Sequence, residues 1–534
     1  MTQAKRPLGA QIAHALKERG VDTVFGVPGV HNIELYRGLE EAGIRHVLAR
    51  HEQGAGFMAD GYARASGRPG VAFTITGPGL CNIMTPMGQA YSDSVPMLVI
   101  SSCLGRQRPG RQLGRLHEMR DQESAAEAVC AWSRTATDPA GTYQLLDKAF
   151  NEFGSQRGRP VHIQIPVEVL SRKTDPAPAY RCRRHRLVPD PDQIEEVAKL
   201  MQAAVRPMLI LGGGARRAKS EARALVAVSG CAVFPTCAGR GIVPETHPLS
   251  FGANLAQPDS VRYIAQADLV IAVGTELGET DLWRSKLGHV CPLVRVDIDQ
   301  NTLADSVDAD IQVLSDAKAF LGALVKQAQR RRSVSDWNVA DIARAVANFQ
   351  AATDADRPGI VQVAAAMRAA LPKDTTIYSD MTQFAYAASE TYEMEEPGRW
   401  HHPSGFGTLG YALPAAIGGK LALGRRPVVC IAGDYGFQFT LPELAVAVEK
   451  RLSLPVVLWD NDGLKEIEGA MIDSQIEPSA VRVSNPDFLR LAEAFGAKSC
   501  CPGNLREFQS ELRAALAEKR PTVIRATPAL SNRS

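Results

Sequence analysis

Asp434 and Asn461 are the residues whose types and spacing most invite chemistry. Asp434 follows Gly433 at the end of an apolar run (428–432). Asn461 stands 27 positions later in Asp460-Asn461-Asp462-Gly463, just past a second run (455–459). If both runs are parallel strands of one sheet, their C-terminal ends bring the two residues to one edge, where open α/β sheets bind ligands. One carboxylate, one amide oxygen and a backbone carbonyl suit a hard divalent ion such as Mg²⁺, which completes its shell with phosphate oxygens. Gly433, Gly436 and Gly463 let the backbone come close to those phosphates. Between the runs, Thr440 and Glu443 have the spacing of a capping box, so a helix is predicted from there to about Arg451.

A second carboxylate, Glu52, heads a helix-like stretch of small residues (54–65), a composition suited to close packing against a cofactor. The elements that must position these groups are strand-like runs alternating with helical patterns, which predicts α/β layers with parallel sheets. The runs include 71–76, 97–101, 161–165, 208–211, 269–273 and 293–296, several rich in Val and Ile, as strands buried on both faces are. Two polar seams, 171–192 and 327–336, read as linkers, and the arginines at 330–332 as part of a solvated linker. Three domains follow: 1–170, 190–330 and 358–530. The first and third are similar in size and alternation, which suggests a duplication. In the middle domain Gly212-Gly213-Gly214 follows a strand without the full GxGxxG pattern, so a tight turn is favoured over a nucleotide-phosphate site.

With 534 residues, 45% hydrophobic and 22% charged, the chain has ordinary globular composition for about three domains. A formal net charge of +2 makes no electrostatic case for nucleic acid or an anionic membrane. The N-terminus reads as an amphipathic helix and not as a secretory signal, and no run has the length of a membrane span. Ten scattered cysteines lack metal-ligand spacing. Reduced thiols and a cytoplasmic protein are expected.

The Asp434/Asn461 segment resembles the thiamine-diphosphate-binding motif of the acetohydroxyacid synthase and pyruvate decarboxylase superfamily. The resemblance extends, in the family's order, to Val24-Phe25-Gly26-Val27-Pro28-Gly29, Arg50-His51-Glu52-Gln53-Gly54-Ala55-Gly56, Met58-Ala59-Asp60-Gly61-Tyr62-Ala63-Arg64, Thr76-Gly77-Pro78-Gly79 and residues 90–96 and 405–416. It implies three doubly wound parallel-sheet domains: aminopyrimidine-binding, central, and diphosphate-binding. It also implies that Asp434, Asn461 and the main-chain oxygen of Gly463 hold Mg²⁺. Gly433, Tyr435, Gly436 and Leu464 would border the diphosphate, and Gly77 the cofactor's other half. Tyr435 stands where Gly or Ala is common, and Asp460 where Asn often is.

Glu52 matches the acid that bonds N1′ of the aminopyrimidine. That bond favours the imino tautomer, whose nitrogen takes the C2 proton that no side-chain base is strong enough to remove. The resemblance further implies that the Gly407 main chain accepts a bond from the 4′-amino group. Leu409 would be the wedge beneath the V-shaped cofactor, Gln122 would face the substrate carbon, and the Gly26 N–H would meet a developing oxyanion. His401-His402 lie in the wrong domain for the paired histidines of pyruvate decarboxylases. Residues 274–280 do not reproduce a flavin site, so FAD is not expected.

The implied activity is non-oxidative decarboxylation of a 2-oxo acid, ending in an aldehyde or in carboligation. Leu116-His117-Glu118, Asp121-Gln122 and Glu466-Ile467 look like the 2-ketoarginine (5-guanidino-2-oxopentanoate) decarboxylase branch. If Glu118 and Glu466 line the pocket, a cationic substrate would offset the cost of burying them. As exposed first-turn carboxylates, Glu466 and Glu468 would have no such role. The alternative within the class is an acetolactate synthase, and outside it a nicotinamide-dependent oxidoreductase using the Gly212–Gly214 turn. A silent regulatory subunit is a third, against which the intact Glu52 speaks. Family members share each site between two chains, so a homodimer or homotetramer is expected, acting on a small 2-oxo acid.

Overall fold

The computed structural model describes residues 5–105, 114–181, 186–305, 307–329 and 335–531. Residues 330–332 and parts of both expected linkers lie outside the described residues. The apolar runs become strands of three wholly parallel sheets. The N-terminal sheet has the order Arg45–Leu48, Thr23–Gly26, Gly70–Thr74, Met97–Cys103, Pro160–Pro166, Trp132–Thr135. The central sheet has five strands: Ala232–Pro235, Pro207–Leu211, Leu269–Val273, Leu293–Asp297, Ile311–Leu314. The C-terminal sheet runs Trp400–His401, Thr376–Ser379, Val428–Gly433, Pro455–Trp459, Thr522–Ala526, Lys498–Cys500.

Renumbered from one within each half, the two end sheets have the same order, 2-1-3-4-6-5. The duplicated architecture is therefore real. In each half a helix follows the second strand: Glu52–Ser66 in the first and Ala412–Leu423 in the second. These equivalent helices pack on each other, and one apolar core joins the halves through Phe57, Met58, Tyr411 and Ile417. Glycine is required at their contact. A Cβ on Gly61 would lie 2.0 Å from the carbonyl oxygen of Ala415, and one on Gly418 1.9 Å from that of Met58. The small-residue stretch after Glu52 thus serves a helix–helix approach between the two halves, where the composition had suggested contact with a cofactor.

The predicted capping box is absent. A helix already spans Asp434–Thr440, followed by a 3₁₀ turn, Leu441–Glu443, and a helix Leu444–Glu449. Thr440 donates its hydroxyl to the carbonyl of Gly410 (2.8 Å). Glu443 turns away from its own helix altogether and reaches the N-terminal half. No disulfide forms among the described residues, and none of their helices is long and apolar enough to cross a membrane.

Candidate active site

In the C-terminal half, the strand order reverses between Thr376–Ser379 and Val428–Gly433, which opens a crevice at their carboxyl ends. Asp434 sits there, 2% exposed. Its carboxylate accepts from the backbone N–H of Gly463 (3.0 Å), the Asn485 amide (2.7 Å) and the N–H of Tyr435 (2.8 Å). The Gly463 bond brings the loop after the next strand against Asp434, as the sequence spacing required. Burial pushes the Asp434 carboxyl above its ordinary range, and Asp460 beside it adds repulsion, which a bound cation would relieve. Asn461 donates its amide nitrogen to Gln383 (3.0 Å), which leaves its oxygen free to meet a cation. The backbone is left-handed at Asp462 (φ 60°) and at φ 141° in Gly463. Such conformations cost energy and persist where packing enforces them. Among the described residues no three His, Cys, Asp or Glu side chains form a metal cage. Of the expected metal donors, the Asp434 carboxylate and the Gly463 backbone are in contact, and the Asn461 amide nitrogen, not its oxygen, is the atom bonded to Gln383.

Around this centre, Tyr435 lies edge-on to Phe439 (5.5 Å between centroids), and the Leu464 N–H is tied to the carbonyl of Val481 (2.8 Å). Asp460, the departure from Asn, pairs with Arg525 (2.6 Å) and Asn485 (2.9 Å). Sequence reasoning missed Asp380. This buried carboxylate accepts from the Gly410 N–H (2.9 Å) and so holds the turn that carries Gly407 (φ 66°) and Leu409. It also lies against Gly436, 3.2 Å from where a Cβ would stand. Burial raises its carboxyl to about 6. Its position at a strand end is the signal that singled out Asp434.

In the N-terminal half, Glu52 is the first residue of its helix, 9% exposed, and accepts from the Asn82 amide (2.9 Å). Its other oxygen lies 3.3 Å from where a Cβ on Gly79 would stand. Gly77 (φ 70°) donates its N–H to the Gln122 side chain (2.9 Å). The Gln122 amide nitrogen lies 2.9–3.1 Å from Ser101, Ser102 and Gln164. Gln122, expected to face the substrate carbon, is instead committed at both ends to holding the Gly77 turn. Gly26 ends a strand with ladder neighbours Leu48 and Phe73 on either side, and its carbonyl accepts from Ala49 (3.3 Å).

One pairing of imidazoles was not foreseen, although His117 stands in a stretch the sequence had singled out. His31 and His117 meet edge to face, 5.0 Å between centroids. Both Nδ1 atoms are buried, with no hydrogen-bond partner among the described residues. His117 is left-handed (φ 64°), and its carbonyl oxygen lies 2.6 Å from the Cβ position of Gly77. Burial, then the neighbouring His117, hold His31 below its ordinary range. The residues stand far apart in the chain, and although each lies in or beside a quoted motif, neither motif shows that the two meet.

The two carboxylates expected to await a cationic substrate already have partners. Glu466 accepts from Gln383 (3.0 Å) and from the Arg357 guanidinium, whose Nε lies at 3.1 Å. Gln383 is also the partner of Asn461, so Glu466 is two hydrogen bonds from the metal loop. Glu118 accepts from the N–H groups of Gly114 (2.8 Å) and Arg115 (3.3 Å). Glu468 pairs with Lys465 (2.7 Å) and Arg482 (2.9 Å), which makes it structural.

The Gly212 turn is tight, with the Gly214 N–H bonded to the carbonyl of Gly274 (3.0 Å). It borders a cavity of about 290 Å³ where the three sheets' domains meet, lined among others by Arg64, Arg157 and Arg216 and by Asp93, Asp281 and Asp297. Nothing in this lining singles out FAD. Thiamine diphosphate fits better. The C-terminal crevice offers oxygen ligands and glycine approaches to a metal-bound diphosphate, and the N-terminal turn offers a buried carboxyl beside two glycines that a side chain would block.

Three family models match the chain: the N-terminal TPP binding domain of thiamine pyrophosphate enzymes over residues 6–125, their central domain over 194–324, and their C-terminal TPP binding domain over 380–526. The chain belongs to the thiamine pyrophosphate enzymes. It is 44% identical over 519 residues to the probable 2-ketoarginine decarboxylase AruI of Pseudomonas aeruginosa, covering 97% of this chain and 93% of that one. To the acetolactate synthase isozyme 1 large subunit of Escherichia coli it is 30% identical over 543 residues, covering 97% and 94%. The isozyme 3 large subunit is 29% identical over 532 residues, covering 95% and 92%. Among thiamine pyrophosphate enzymes, the chain is thus more similar to this decarboxylase than to these synthases.

Proposed function

We propose that this thiamine pyrophosphate enzyme decarboxylates 5-guanidino-2-oxopentanoate and releases the aldehyde, using Mg²⁺ held by Asp434, Asn461 and Gly463. The 44% identity to a probable 2-ketoarginine decarboxylase over nearly the whole of both chains carries the reading. When bound, the cofactor supplies the electron sink for the bond to CO₂. Glu52 holds the proton shared with the aminopyrimidine, and Asn82 keeps its carboxyl aimed. Gln122 fixes the Gly77 turn beside it. Gly407 and Leu409, braced by Asp380, orient the other face.

Release of an aldehyde needs a proton at the carbon that loses CO₂, and His117, whose backbone packs on the Gly77 turn while its ring meets His31, is the group assigned to deliver it in its protonated form. The pair favours aldehyde release over carboligation. Replacing His117 with Gln is expected to slow aldehyde formation by about 10²-fold while CO₂ release in the first turnover stays near native. Rapid-quench analysis of both products checks this. Equal slowing of both steps would remove the pair from the proton transfer.

Glu466 is the carboxylate best placed to meet a substrate guanidinium, two hydrogen bonds from Asn461, although Arg357 of the same chain already holds it. A substrate guanidinium would share or replace that contact, bidentately paired as planar guanidinium and carboxylate groups are. The test is kcat/KM for 5-guanidino-2-oxopentanoate, pyruvate and benzoylformate, in the native enzyme and in Glu466→Gln. The guanidino acid is expected to be preferred. For a part-exposed pair, the variant should lower that preference by about 2- to 5-fold. Better turnover of pyruvate or benzoylformate by the native enzyme would overturn the substrate and leave the cofactor assignment standing.

A further inference from the structure

Glu443 is 1% exposed and belongs to the C-terminal half, yet its hydrogen-bond partners lie about 390 residues earlier in the chain. Its carboxylate accepts from the backbone N–H of Arg50 (3.1 and 3.2 Å to its two oxygens) and of His51 (3.0 Å). These are the two residues immediately before Glu52. His51 is the N-cap of the Glu52 helix, its ring accepting from Gln53 N–H (3.1 Å). One more feature makes room for the contact: a Cβ on Gly54 would stand 2.1 Å from the Glu443 carboxylate. A carboxylate buried against two backbone donors and a glycine is a clamp, and it acts where the chain turns into the helix that aims Glu52.

We propose that Glu443 is a positioning residue for C2 activation: it holds the Arg50–His51 turn and thereby sets the direction of the Glu52 carboxyl. The proposal rests on the role assigned to Glu52. It gives that role a dependence on the other half of the same chain, because Glu443 follows the Asp434 helix by one short turn. The contact is also poised to respond to pH. Burial pushes the Glu443 carboxyl up to about 7, with the Arg50 and His51 N–H groups and the Arg50 charge opposing that shift and Glu52 adding to it. The Arg50 guanidinium is itself paired with Glu449 (2.9 Å), which also contacts Lys450. As pH falls through about 7 the carboxyl takes a proton, the charge on the acceptor is lost and the grip on the two N–H groups weakens.

Two readouts test this. The first is amide hydrogen exchange, by mass spectrometry, of peptides covering residues 45–57 in the cofactor-free chain. The second is proton–deuterium exchange at C2 of bound thiamine diphosphate between about pH 8.5 and 5.5. In Glu443→Gln the Arg50 and His51 amides should exchange about 10- to 100-fold faster, and C2 exchange should fall by a similar factor at high pH. The native decline of C2 exchange below about pH 7 should disappear. Unchanged amide protection, C2 exchange within about twofold of native, or an unaltered pH profile would each overturn the proposal. Should the variant fail to fold, the native chain alone decides. Protection of these two amides, corrected for intrinsic exchange, must fall as pH drops through about 7, and constancy overturns the clamp. The amide arm reads the clamp without Glu52. Native C2 exchange in Glu52→Gln with a positive amide result would instead sink the Glu52 role.

Discussion

Replacing Glu52 with Gln should slow loss of the C2 proton of bound thiamine diphosphate by about 10²- to 10⁴-fold, the usual worth of a positioned acid–base group. The substitution keeps the shape of the side chain and its contact with Asn82, and Gly79 leaves the same room beside it. What it removes is the acidic proton shared with the aminopyrimidine. Cofactor affinity, set mainly by the diphosphate and metal at Asp434 and Asn461, should stay within a few-fold of native. Proton–deuterium exchange followed by NMR after acid quench gives the rate, and titration calorimetry the affinity. An exchange rate near native would show that Glu52 is not the group that activates C2.

The second large effect is expected from mixing two inactive proteins. Chains carrying Glu52→Gln and chains carrying Asp434→Ala, dissociated and reassembled together in equal amounts, should recover about a quarter of native activity if each site draws its two halves from different chains. In a mixed dimer one site then carries both substitutions and the other carries neither. Half of randomly assembled dimers are mixed, and each has one intact site of two. The single chain points this way. Within it, the C-terminal residue placed against the Glu52 turn is Glu443, at the far end of the segment that Asp434 begins. Exposed apolar side chains also cluster on the segments that carry site residues: Val30 (66%) and Ile33 (56%) near the first turn, Phe406 and Phe439 beside Gly407 and Tyr435, and Ile467, Ile472 and Ile476 beyond Leu464. A second copy that covered them would remove the cost of leaving them in water. No recovery in dimers shown to have exchanged chains would mean that each chain builds its own site.

Much of this was legible in the sequence. Every run of apolar residues read as a strand is one, because a strand buried on both faces must be apolar throughout and the turn residues mark its ends. Asp434 and Asn461 could be singled out because each stands just past an apolar run, which in a parallel sheet is the ligand edge, whereas Glu52 was found through the motif around it and the small-residue helix after it. Failures came where one spacing supports two structures. Thr440 and Glu443 have the spacing of a capping box, but the helix had already begun at Asp434, so neither was needed as a cap. The small residues after Glu52 could face a cofactor or another helix, and composition does not distinguish the two.

The parallel α/β layers, the strand ends where Asp434 and Asn461 stand, and the family that the motifs indicate were thus readable from the chain's own local patterns. Only the tertiary structure decided which buried polar group meets which. Gln122 holds the Gly77 turn, Arg357 pairs with Glu466, His31 meets His117, and Glu443 crosses to the turn before Glu52. The physical reason is one of range. Strand, turn and cap preferences act over a few neighbouring residues and leave a pattern in the chain. A buried carboxylate or amide must find its partner wherever packing leaves an unpaired donor, and that donor can be several hundred residues away.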